Sequence, residues 1–250
     1  KGAKVIKGPN SNTAYIFLPG KSSNIPGYGG GAKNITIEGG EFEGYGDNIG
    51  ISITSHHVEN LVCRDAIFKK AVTNGHVFDL GGCKDVLIEN CYFIGMTLKE
   101  GREYTEAIQL DYSSSGALSK QFQAYDGLPT INVTVKNCKF LPIYNQDGTI
   151  ANHAPNPTGC HSIIDGQYFR NIKFIDNLVI DSPADSPNNT GTWLRFYAID
   201  GMEISGNKFI NTKSIKNTVV SLQTKTNGLL LKDVGTETEP SSTIPVMPCK

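Results

Sequence analysis

The chain has 250 residues, of which 38% are hydrophobic, and a formal net charge of −1. A near-neutral balance with no run of basic residues excludes a general electrostatic grip on nucleic acid. No apolar segment reaches the ~20 residues that a membrane-spanning helix needs, and no signal peptide is visible. The length suits one domain with a continuous core. Lacking a starting Met, the sequence is expected to be a piece of a longer protein.

The first 31 residues, with Gly-Tyr-Gly-Gly-Gly at 27–31, are expected to form irregular first coils. A nine-residue pattern then begins: polar or Gly, apolar, any, apolar, any, any, small, any, apolar. Its copies are 34–42 (NITIEGGEF), 60–68 (NLVCRDAIF), 85–93 (DVLIENCYF), 132–140 (NVTVKNCKF), 171–179 (NIKFIDNLV) and 201–209 (GMEISGNKF), with a truncated copy from Gly228. The starts are 26, 25, 47, 39, 30 and 27 residues apart. Repeats of that period mark a solenoid. Two short alternating strands split by a small residue fit one coil of a parallel β-helix.

Period-2 alternation on both sides of the bend turns the second, fourth, seventh and ninth positions inward. The second gives Ile35, Leu61, Val86, Val133, Ile172 and Met202, and the last gives Phe42, Phe68, Phe93, Phe140, Val179 and Phe209. One coil cannot bury its own apolar face, so neighbours must cover it. Asn177 and Asn207 fall at the small position, where a buried amide needs hydrogen-bond partners. No stretch carries a helical apolar stripe. The expectation is an all-β chain: one β-helix domain over residues 1–235, then a Thr/Ser/Glu/Pro-rich linker or tail over 236–250 leading to a following domain.

A further strand precedes most copies: 51–55, 76–80, 106–111, 161–165 and 192–196. Aligning Ile53, Phe78, Ile108, Ile163 and Leu194 inward places Thr54, Asp79, Gln109, Ile164 and Arg195 outward in one row. Strand starts set His76, Glu106 and His161 in another row, and Asp111 and Asp165 close two strands. With coils ~4.8 Å apart, these groups gather on one sheet. Two insertions, 112–130 and 142–159, are expected to wall a groove beside 106–111, because loops longer than a solenoid needs are usually functional or disordered. They carry Tyr112, Tyr125 and Tyr144, and Trp193 aligns with an outward row. Aromatic rings stack on sugar faces while acids and amides bond hydroxyls.

Plainer roles stand beside these. Asp165 can be a turn cap, Arg195 the partner of a carboxylate one coil away, and His76 and His161 strand-end groups bonded to a neighbouring coil. His56 and His57 read as solvated corner residues. Five residues along a strand separate Glu106 from Asp111 by ~16 Å, too far for a glycosidase pair, so partners are sought across coils. Cys63, Cys83, Cys91 and Cys138 read as free buried thiols, with Cys160 in a loop and Cys249 in the tail. No Cys/His spacing suggests zinc. Clustered Asp residues admit calcium, but no EF-hand spacing supports it and no cofactor is expected.

Taken together, the repeats resemble the right-handed parallel β-helix of the pectate-lyase-like superfamily over about residues 30–235. The stretch 76–93 (HVFDLGGCKDVLIENCYF) followed by 106–111 (EAIQLD) resembles a subgroup in tail and baseplate proteins of phages and prophages of Gram-positive bacteria. That resemblance implies a virion-tail or extracellular location, a bacterial surface polysaccharide as partner, and room for a homotrimer. It points to His76, Glu106, Gln109, Asp111 and His161. The RxPxxR motif of pectate lyases is absent, and 170–173 (RNIK) is not the Arg-Ile-Lys of polygalacturonases. Three functions follow as expectations. One is a depolymerase, with Glu106, Asp111 and Asp79 as acids for hydrolysis, or His161 as base and Arg195 neutralising a uronate for elimination. The second is a receptor-binding module resting on His76, Gln109, Asp165, Trp193 and the tyrosines. The third is a structural fibre segment.

Overall fold

The computed structural model describes residues 3–8, 15–44, 51–72, 76–97, 106–118, 120–160, 162–181, 192–210 and 218–223. The truncated copy from Gly228, the 236–250 tail with Cys249, and His161 lie outside them. Among the described residues there is no helix. Each coil contributes a strand to each of three parallel sheets. Sheet I holds Ala32–Glu38, Val58–Arg64, Lys84–Glu89, Ile131–Lys136, Phe169–Ile175 and Ile199–Ser205. Sheet II follows it round the coil with Lys4–Ile6, Glu41–Glu43, Ile67–Val72, Tyr92–Thr97, Lys139–Leu141, Leu178–Ile180 and Lys208–Ile210. Sheet III completes the turn with Tyr15–Phe17, Ser52–His56, Phe78–Gly81, Glu106–Asp111, Asn156–Gly159, Thr192–Tyr197 and Thr218–Gln223.

The nine-residue pattern is written into the backbone. Its first and sixth positions are left-handed in each of the six described copies: 34 and 39, 60 and 65, 85 and 90, 132 and 137, 171 and 176, 201 and 206. All twelve are Asn, Asp or Gly, the residues that tolerate positive φ. The first-position amides also bond along the stack, Asn60 to Asn34 at 2.8 Å, Asn132 to Asp85 at 2.7 Å and Asn171 to Asn132 at 2.9 Å. The sixth position makes the bend from sheet I to sheet II. At Gly206 an added Cβ would run into the Asp176 carboxylate.

In-register pairing turns the inward positions into ladders. Phe42, Phe68, Phe93, Phe140, Val179 and Phe209 are partners in order. Their rings stack, with centroids 5.2 Å apart for Phe42–Phe68, 5.4 Å for Phe68–Phe93 and 4.8 Å for Phe93–Phe140. At the small position the two asparagines continue the ladder by hydrogen bonding. Asn177 Nδ2 donates to Asn207 Oδ1 at 3.0 Å and to Val135 O at 3.0 Å, and Asn207 Nδ2 donates to Phe174 O at 2.7 Å. Cys63, Cys83, Cys91 and Cys138 are buried and free, the Cys63 and Cys91 sulfurs 3.8 Å apart. Cys160, outside any strand as expected, is nonetheless buried; its thiol donates to Tyr197 O, and Tyr197 N donates back to the sulfur, both at 3.1 Å.

The corner from sheet III back to sheet I is tight, turning on left-handed His57, Gly82 or Ala198. Insertion 112–130 interrupts that corner and folds back over the earlier ones. Leu118 fills the space beside Gly81, and Ser113 lies against Gly82. Beneath it sit His56 and His57, each 1% exposed, which corrects the expectation of solvated histidines. Their rings stack at 4.0 Å. His56 Nε2 bonds Ser113 Oγ at 2.8 Å and His57 Nε2 bonds Asp126 Oδ1 at 2.8 Å. Gly27 N donates to the other Asp126 oxygen at 2.8 Å, and the Tyr28 hydroxyl donates to Pro129 O at 2.8 Å. The insertion is thus strapped to the N-terminal coil.

Two predictions follow. Phe93, 1% exposed between two stacked rings, costs about 3–5 kcal/mol on replacement by Ala, read as a lower denaturant midpoint. Burial first, and then the neighbouring His57, pull the His56 pKa from 6.5 down to about 4, against the pull of Asp126. The unfolded chain therefore takes up this proton at higher pH than the folded one. Stability holds above pH 6.5 and falls as pH drops from there to about 4. His56→Gln flattens that part of the melting-temperature profile.

Candidate functional site

The outward faces of sheets I and II carry ion-pair ladders. Lys33, Glu59 and Lys84 run across three coils at 3.1 Å each. Lys4, Glu41 and Lys69 do the same at 3.1 and 2.8 Å, and Lys136 meets Glu89 at 3.0 Å. Such exposed pairs add little stability, but they give each of these carboxylates a cation one coil away.

Sheet III differs. Ile53, Phe78, Ile108 and Leu194 belong to the core, so alternation turns Thr54, Asp79, Gln109, Gly159 and Arg195 away from it, and these are register partners in that order. Asp111 lies two residues beyond Gln109 on the same face. Thr54, Glu106, Gln109 and Asp111 are nonetheless buried, while His76, Asp79 and Arg195 are half-buried. Enclosed oxygens of sheet III with no hydrogen-bond partner are Asp79 Oδ1, Glu106 Oε2, Gln109 Oε1 and the Ser55 and Thr158 hydroxyls. No ion pair among the described residues involves Asp79, Glu106, Asp111 or Arg195.

The electrostatics follow from that burial. Desolvation, reinforced by the charge of Asp111, holds the Asp79 carboxyl well above the usual range. Asp111 is pushed up to about 7 by burial, with the Glu106 charge adding to the shift. Hydrogen bonds from Ser162, at 2.9 Å, and from Gln109 oppose it. Burial thus favours the protonated form of Asp79, while Asp111 is near its midpoint at neutral pH. His76 Nδ1 lies 2.7 Å from Glu106 O; since a carbonyl only accepts, Nδ1 carries the proton. Burial lowers the His76 pKa, opposed by the Glu106 charge and that bond, and leaves Nε2 as a lone-pair site. Tyr15 stands close enough to Asp79 for that charge, after burial, to raise its own pKa.

The expected row therefore forms at Asp79, Gln109 and Arg195, with Glu106, Asp111 and His76 beside it. The coil above was misaligned. Its sheet III strand is Asn156–Gly159, not 161–165. Pro157 breaks the strand pattern in the sequence, and pairing onward to Thr192–Tyr197 shrinks to one register partner, Gly159 with Arg195. Asp165 falls in an exposed turn, off the row. Ile164 packs partly into the core instead of facing outward. Gly159 has a reason to lack a side chain. A Cβ there would lie 2.7 Å from Arg195 O and 3.2 Å from Glu106 Cγ.

The expected aromatic platform does not form. Tyr112 is fully buried, its ring 4.5 Å from Phe169 and its hydroxyl donating to Gln167 O at 3.1 Å. Trp193 is 1% exposed and packs on Phe209 at 5.7 Å, because the strand start turns into the core at the corner. Tyr125 accepts from Phe122 N at 2.9 Å and lies over His56, inside the strap. Tyr144 stays exposed on the hairpin of Ile143–Tyr144 and Ile150–Asn152, and its hydroxyl donates to Asp181 at 2.7 Å. Sequence reasoning missed Ser162 and Tyr15, which carry no motif. Among the described residues no three His, Cys, Asp or Glu side chains are placed to hold a metal. An apolar hollow of about 470 Å³, lined by Phe17, Leu18, Ile35 and Ile37 among others, belongs to the first coil and offers no charged group.

No protein-family model matches the chain, and no curated protein matches it. Two solved structures do. The first is described as the crystal structure of PfbA, a surface adhesin of Streptococcus pneumoniae, at 18% identity and TM-score 0.65 over 88% of this chain. The second is described as the Streptococcus pneumoniae surface protein and adhesin PfbA, at 19% identity and TM-score 0.68 over 90% of this chain. The chain spans only 56% and 58% of those structures. At such identities the likeness is one of fold: this chain is a parallel β-helix like that of a bacterial surface adhesin.

Proposed function

We propose that the chain binds a cell-surface polysaccharide along the outward face of sheet III, as part of an extracellular or surface-exposed protein. The observation that carries this reading is the set of buried acids and an amide with unpartnered oxygens on sheet III, where no described ion pair forms. Buried acceptors without partners are costly, and a polyhydroxylated ligand supplies the missing donors. The adhesin character of the two structural neighbours supports a surface setting. The phage-tail resemblance offers a narrower version, in which the ligand is the wall or capsular glycan of a Gram-positive host.

Cleavage is the second reading, and one observation favours it. Asp79 and Asp111 sit on adjacent strands two residues out of register, which places their backbones about 8 Å apart. Burial favours the protonated form of Asp79 and pushes Asp111 up to about 7. In an inverting glycosidase an acid and a base stand with their carboxyl groups about 6.5–9.5 Å apart, a spacing that these backbone positions permit.

Retention of the protein on immobilised surface polysaccharides, with chain length of the glycan followed in parallel, tests both. At least one polysaccharide is expected to retain it, and Gln109→Leu is expected to weaken that retention roughly 10-fold, the loss of one or two hydrogen bonds. Lys33→Ala, on the sheet I face, leaves it unchanged. If no polysaccharide is retained, or if Lys33→Ala matters and Gln109→Leu does not, the proposed face is wrong. Shortening of the glycan that disappears in Asp111→Asn selects cleavage over binding alone.

A further inference from the structure

Ala32–Glu38 is the terminal strand of sheet I among the described residues, and no described strand pairs with its outer edge. Its inward Ile35 and Ile37 are only half-buried, although their partners one coil on, Leu61 and Cys63, are fully enclosed. The apolar hollow of about 470 Å³ lies against both isoleucines. Val5, Ile6, Phe17 and Ile25, from the same end of the stack, are exposed; Tyr144 is the one other exposed large hydrophobic among the described residues.

The rows that reach this edge follow rules. Lys33, Glu59 and Lys84 alternate in sign along one row, each pair at 3.1 Å. Glu38, Arg64, Glu89 and Lys136 alternate along another, with Arg64 and Glu38 at 3.3 Å and Lys136 and Glu89 at 3.0 Å. Between them runs the amide row, whose donors point toward the start of the chain: Asn60 to Asn34, Asn132 to Asp85 and Asn171 to Asn132. Extended by one strand, these rules specify its residues. An acid falls opposite Lys33, Asn or Asp opposite Asn34, apolar residues opposite Ile35 and Ile37, and a base opposite Glu38.

We propose that Ala32–Glu38 is a docking edge for a parallel strand of another polypeptide with the pattern acid, Asn or Asp, apolar, any, apolar, base. Main-chain hydrogen bonds supply the attachment and the side chains the selection. The two apolar residues enter the hollow and bury Ile35 and Ile37, which is the main source of affinity. Each charge adds little by itself, but a like charge in its place is repelled, so the pair fixes register and direction. A slip of one residue puts polar groups over the hollow. The inference stands apart from the polysaccharide reading, which concerns sheet III.

A labelled peptide, Glu-Asn-Val-Thr-Val-Lys-Gly, tests it on the intact chain, with Glu-Asn-Val-Thr-Val-Glu-Gly as control. Saturable binding of the first is expected, roughly 5-fold tighter than of the second. Amide exchange is expected to slow at Ala32–Glu38 and to stay unchanged on sheet III. In Glu38→Lys the order of the two peptides is expected to reverse, which a merely weakened fold does not produce. Equal binding of both peptides, no saturable binding of either, an order unchanged in Glu38→Lys, or protection on sheet III instead overturns the proposal. Self-association of the chain that Glu38→Lys abolishes and the first peptide fails to inhibit assigns the edge to a second copy, and overturns it too.

Discussion

Everything in this molecule depends on coils stacking in register at the strand spacing of ~4.8 Å. A single coil has no interior; its Ile, Val and Phe become core only when the coils on either side supply the same positions. That requirement fixes which residues may turn the chain. The left-handed pair at the first and sixth positions of each copy recurs without exception because a shift of one residue would throw every ladder out of line. The aromatic ladder and the asparagine ladder are two solutions to one demand, dispersion in the first and hydrogen bonding in the second.

The same stacking creates the candidate site. Residues 30 positions apart, such as Asp79 and Gln109, become neighbours on adjacent strands. On two sheets evolution has filled the outward rows with alternating charges. On the third it has placed acids that no described cation pairs with, beside an amide, and burial then favours the protonated forms of Asp79 and Asp111. A fold needing only solubility has no use for such a row.

Much of this was legible in the sequence, and the limits have physical causes. The six copies, their inward residues and the asparagine pairing could be read directly, because periodicity and left-handed backbone leave marks in residue type. The Asp79–Gln109–Arg195 row followed from the same arithmetic. The coil at 142–168 could not be aligned, because Asn-Pro-Thr-Gly at 156–159 looks like a turn while 161–165 alternates like a strand. Tyr112 was read as part of a loop wall, and Trp193 as outward because alternation was carried to a strand end, where the chain bends at a corner and the side chain follows it inward. The strap was invisible because its partners, His57 with Asp126 and Gly27 with Asp126, are far apart in the chain and carry no pattern.

That strap bears on how the molecule carries load. A solenoid pulled from one end can peel, each coil giving way after the one before it. Here Asp126 grips Gly27 and His57 at once, and Tyr28 holds Pro129, so the N-terminal coils are riveted to a loop that originates farther along the stack. Under tension the first coils must yield together rather than in turn, and His56, whose pKa burial lowers to about 4, makes acid the condition under which the packing beneath that rivet loosens.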